Sequence, residues 1–133
     1  YTKTNTEQPQ KSLTPQEIEK KLPELGLTLV GSGYGQNDYK PSSENYVVCV
    51  FSKKIALDLY KNSANDAQTI KTILNLALPT SGNEVYSIAR KEIIPPAMHN
   101  PLYPIHSETI VREGKEIEIT YFNDTTSIEI YYK

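Results

Sequence analysis

The chain of 133 residues carries 14 basic and 16 acidic side chains, two histidines, one cysteine and no tryptophan. That near balance, with no basic stripe, speaks against a nucleic-acid surface, which needs clustered Lys and Arg to displace counterions. One cysteine excludes an intramolecular disulfide and a cysteine-rich zinc site, and the length lets a single domain bury a core without either.

Residues 1–12 run Tyr-Thr-Lys-Thr-Asn-Thr-Glu-Gln-Pro-Gln-Lys-Ser, polar and without period, so they cannot bury a face. They are expected to be a flexible leader or tether ahead of a single domain over 13–133. Thr/Gln/Pro linkers hold domains away from a surface, and this composition points to an extracytoplasmic location, secreted or tethered to a membrane. No apolar run reaches ~18 residues, so no transmembrane segment is expected in this chain.

Thr14-Pro15-Gln16-Glu17 predicts a helix start: Thr14 as cap, Pro15 in the first turn, Glu17 reaching back to close a capping box. Pro23 and Gly26 end that helix, and Leu27-Thr28-Leu29-Val30 reads as a strand. Residues 31–45, Gly-Ser-Gly-Tyr-Gly-Gln-Asn-Asp-Tyr-Lys-Pro-Ser-Ser-Glu-Asn, read as one long loop. Tyr46 to Phe51 is a nearly unbroken apolar run and predicts a central strand. Lys53 to Tyr60 fits either a strand or a helix, with the alternation of Ile55, Leu57 and Leu59 favouring a strand.

A second helix is expected over 66–78, with Ala67, Ile70, Ile73, Leu74 and Ala77 on one stripe. Ser81-Gly82-Asn83-Glu84 has the pattern of another capping box, opening a helix that buries Val85, Ile88 and Ala89. Four prolines between Ile93 and Ile105 demand an extended crossing segment that cannot donate a full ladder.

Thr109-Ile110-Val111, a turn at Glu113-Gly114, and two alternating arms over 115–133 predict a three-stranded meander. Charge suggests a register for its last hairpin. A two-residue Asn123-Asp124 turn would set Glu118 opposite Glu129, whereas a four-residue loop, 123–126, sets Glu118 opposite Tyr131 and Tyr121 opposite Ile128. Like charges facing each other are unfavourable, so the four-residue loop is expected. The whole predicts an α+β domain: an antiparallel sheet of about five strands ending in the meander, with about three helices on one face.

The glycines of 31–35 do not make a phosphate loop, because no Gly-Lys-Ser/Thr and no helix N-terminus follows. Tyr34 and Tyr39 among Gly, Ser and Asn instead match adaptable recognition loops. The expected ligand-binding set is Tyr34, Asp38 and Tyr39, with Tyr103 from the proline-rich crossing. The expected function is non-enzymatic binding of a protein or cell-envelope component, with no cofactor and no metal. The alternative is a small hydrolase-like enzyme or metal-binding protein assembled around His99, His106 and Glu108. A third reading makes 127–133 an exposed edge that pairs with a partner strand. Cys49 lies inside an apolar strand and is expected to be an inert buried thiol. Asn123-Asp124-Thr125 has the form of a glycosylation sequon, though these residues also simply favour turns.

Overall fold

Residues 11–133 are described by the computed structural model, so all but the last two residues of the expected leader lie outside the described part. Of those two, Ser12 donates from its hydroxyl to the carbonyl of Ala77 at 2.6 Å. Leu13 then follows with its own N–H bonded to Leu76 O at 2.9 Å.

Helix α1 (Pro15–Lys21) begins with the predicted capping box: Glu17 N–H donates to the Thr14 hydroxyl, and the Glu17 carboxylate accepts from Thr14 N–H. These bonds hold the Glu17 carboxyl below the usual carboxylate range. After a short 3-10 turn at Pro23–Leu25, Gly26 takes the left-handed conformation (φ 88°) that reverses the chain into the sheet.

Seven strands form one antiparallel sheet: β1 (Leu27–Gly33), β2 (Gln36–Pro41), β3 (Tyr46–Phe51), β4 (Lys54–Leu59), β5 (His106–Arg112), β6 (Lys115–Tyr121) and β7 (Thr126–Tyr131). Their spatial order is β1-β2-β3-β4-β7-β6-β5. The strand reading of 54–59 and the meander both hold. The count exceeds about five chiefly because 31–45 is not a long loop. Its centre is β2, paired with β1 on one side and β3 on the other. The polar Gln36-Asn37-Asp38 run hides the strand from hydropathy, because side-chain partners satisfy these residues in place of apolar burial.

The terminal strand is not an edge either. β7 lies between β4 and β6, so among the described residues the sheet's edges are β1 and β5. This insertion also explains the hairpin register. The turn is the tight one, with Tyr121 opposite Thr126 and Glu118 opposite Glu129. Lys54, on β4, reaches Glu129 at 2.8 Å and offsets the repulsion that the local sequence implies. The two registers differ by two residues and bury the same face, so apolar patterning cannot choose between them.

Helices α2 (Ala67–Ala77) and α3 (Gly82–Ala89) join α1 on one face of the sheet. Ile70, Ile73, Leu74 and Val85 meet the inward row Val48, Leu57, Ile128 and Ile119 in a single core. Gly82 sits where any Cβ would collide with the Asn75 side chain and backbone, so α2 and α3 can approach only at a glycine. The predicted Ser81–Glu84 capping box does not form. Glu113, from the β5–β6 turn, takes its place and accepts from Thr80 N–H, Ser81 N–H and the Ser81 hydroxyl. Glu84 is left to accept from Arg112 at 2.8 and 2.9 Å.

Candidate functional site

The β1–β2 hairpin turns on Tyr34 and Gly35, both with positive φ (53° and 77°), the signature of a tight type I′ turn. Glycine and asparagine accept this geometry readily, whereas tyrosine there is strained. The Tyr34 side chain is wholly exposed. Along β1, the pairing with β2 shifts between Leu29 and Gly31, and Val30 is left without an opposite residue. This bulge re-aims the strand. Leu29 and Val30 are 50% and 54% exposed although they adjoin in sequence. Beside them lies a shallow groove lined by Thr28, Val30, Lys40 and Pro41.

The other expected binding residues do not converge with Tyr34. Asp38 is on β2 opposite Cys49, on the face away from the helices, and accepts from Gln36 at 2.7 Å. Tyr39 points the other way. Its ring is buried in the core and its hydroxyl donates to Glu19 at 2.8 Å, while Asn37 donates to the same carboxylate oxygen. Burial and that bond push the Tyr39 hydroxyl up to about 12. Tyr39 therefore ties β2 to α1 rather than facing a ligand. Tyr103 belongs to the segment that leads into β5, at the opposite edge and across about 29 Å of sheet at six inter-strand steps of ~4.8 Å.

That crossing segment has no ladder but is held by its own bonds. His99 N–H donates to Pro96 O, Tyr103 N–H to Asn100 O, and the His99 Nε2 lies 2.9 Å from Tyr103 O. Ile94, Met98, Leu102 and Tyr103 all project to solvent. His99 thus serves the loop, whereas His106 and Glu108 do meet, Nε2 to carboxylate at 3.0 Å, with Lys91 3.4 Å from the same oxygen. The His106 ring stacks on Tyr121. The pair sits on an exposed edge, and among the described residues no hydroxyl or thiol is bonded to it. Among the described residues no group of three or more His, Cys, Asp or Glu is placed to hold a metal ion.

Cys49 is half-buried on the open face, and burial, reinforced by Asp38, pushes its thiol up to about 12. Such a thiol carries almost no thiolate at neutral pH. The same face holds Asp58, whose carboxyl is raised by burial and by Glu129 and Asp38, against a lowering bond from Ser127.

A cleft of about 530 Å³ opens at the end of the sheet opposite the Tyr34 turn, between the ends of β4 and α3 and the β6–β7 turn. Buried Leu59, Ala89 and Tyr121 form its floor, and exposed charged side chains its rim. Neither this cleft nor the exposed pair Leu29–Val30 is legible in the sequence, because each depends on which strands are neighbours. No helix among the described residues is long and apolar enough to cross a membrane. No protein-family model, curated protein or solved structure matches the chain.

Proposed function

We propose that this chain is a non-enzymatic binding domain that recognises a protein by adding a strand to its open β1 edge, with Tyr34 as anchor. One observation carries the reading. From Leu27 to Gly33 the edge strand has no charged residue, and Leu29 and Val30 are half exposed side by side. Protein edges are ordinarily blunted with Lys, Pro or inward charges, since unpaired N–H and C=O groups invite another strand. On β1 only the bulge does this. Strand addition draws affinity from main-chain bonds and specificity from alternate side chains.

Tyr34 adds a second support. A tyrosine held at positive φ costs stability that Asn or Gly would not, and strain of this kind concentrates at functional positions. Location outside the cytoplasm belongs to the same reading and rests on the composition of residues 1–12. Finding the native protein in the cytosolic fraction alone would remove that part.

The test is affinity capture from an envelope extract of the source organism, comparing the native domain with a Val30→Lys, Tyr34→Ser double variant. A protein retained by the first and lost by the second is expected. Equal retention by both moves recognition away from this edge.

A further inference from the structure

The cleft beyond α3 has walls that suit a small zwitterion, and this site is independent of the β1 edge. Clefts of roughly 300–1,000 Å³ with an apolar floor and a few placed polar groups are the usual form of small-molecule sites. Here the floor comes from Leu59 and Ala89, and Ile93 and Phe122 add partly buried apolar surface. Besides Lys91, four charged side chains line it, Lys61 and Arg90 of one sign, Glu92 and Asp124 of the other. Among the described residues none of these four is in an ion pair, with one another or with anything else. Lys91, by contrast, is already engaged by Glu108.

Arg90 is also held in place. Its Nη1 donates to the hydroxyl of Ser63, a fully buried residue, at 3.2 Å. Anchoring one nitrogen leaves the rest of the guanidinium fork able to meet a carboxylate with its planar geometry. Asp124 stands at the tip of the β6–β7 turn, across the cleft from the end of α3.

We infer that the cleft binds a free α-amino acid with an apolar side chain. The ligand carboxylate lies on Arg90 and Lys61, its ammonium on Asp124 and Glu92, and its side chain on the Leu59–Phe122 floor. Charges of both signs that do not neutralise each other within one cleft are complementary to a ligand that carries both. A simple anion or a simple cation would satisfy half of them and meet repulsion from the rest.

The experiment is a titration of the ¹⁵N-labelled chain with L-leucine, followed by amide shifts. The controls are 4-methylpentanoate, which lacks the ammonium, and isoamylamine, which lacks the carboxylate. Saturable shifts confined to 59–61, 89–93 and 121–126 are expected with leucine. Each one-ended analogue should bind about fivefold more weakly or worse, the effect of losing one exposed charge pair. Arg90→Gln and Asp124→Asn, checked for folding by thermal melts, should each weaken leucine by a similar factor. Shifts that do not saturate, that fall elsewhere, or that either analogue reproduces at leucine's affinity overturn the assignment. The analogue comparison is made on the native chain and stands whether or not the variants fold.

Discussion

The two edges of the sheet are finished in opposite ways. β5 carries His106, Glu108 and Arg112, each committed to a charged partner, and its turn residue Glu113 caps α3. Its neighbour β6 is pinned to the same helix by Tyr121, whose hydroxyl donates to Ile88 O at 2.7 Å. β1 carries no charge, and among the described residues no strand pairs with its outer side, where Leu29 and Val30 lie half exposed. One edge is spent on holding helix to sheet, the other is left open. The proposed recognition rests on this contrast, which can be attacked from both sides.

The largest stability effect is expected on the closed edge. Glu113→Ala removes the acceptor for three donors around Ser81 and should cost about 2 kcal/mol in chemical denaturation, as lost caps and orphaned buried donors do. A loss below about 0.5 kcal/mol would mean that the β5–β6 turn does not hold α3. Tyr121→Phe, which removes one of two donors to the Ile88 carbonyl and leaves the Lys91 N–H, should cost about 1 kcal/mol.

On the open edge the signs change. Tyr34→Asn should raise stability by up to about 1 kcal/mol, because Asn tolerates the left-handed turn, while weakening partner capture. A variant that gains stability and keeps full binding would leave the tyrosine without a recognition role. Val30→Lys should change stability by less than about 0.5 kcal/mol, as surface substitutions do, and abolish strand addition.

The smallest effects concern the acidic open face. The Asp58 carboxyl is raised in the folded chain, so the native state binds more protons than the unfolded state just above the ordinary carboxylate range. Stability therefore falls as pH rises through that window. Asp58→Asn, which keeps an oxygen for Ser127, should flatten that slope and stabilise the domain slightly at neutral pH. An unchanged slope in urea titrations between about pH 4 and 6 would contradict the assignment.

Much of this fold was legible because local rules and tertiary packing agree. The Thr14–Glu17 box, the 66–78 stripe and the alternation of Ile117, Ile119, Ile128 and Ile130 each specify an element without reference to distant parts. What was hidden depends on neighbours. β2 looks like loop because Asn37 and Tyr39 are satisfied by Glu19 of α1, eighteen and twenty residues away. The Glu118–Glu129 register looks forbidden until β7 is seen to lie against β4, where Lys54 stands. Glu84 looks like a cap until Glu113 supplies a carboxylate from the far edge.

The site divides along the same line. Tyr34 was readable as an exposed aromatic among glycines, and His106 with Glu108 as a close pair in sequence. Leu29 and Val30 could not be singled out, since a two-residue apolar run in a strand normally sends one side chain inward. Only the bulge and the edge position expose both.

The most direct test of the open edge is hydrogen exchange with the captured partner. Amide protection would be compared residue by residue in the free domain and in the complex. New protection is expected within Leu27–Gly33 on binding, with His106–Arg112 unchanged. Protection appearing on β5 instead, or on neither edge of the sheet, would contradict it.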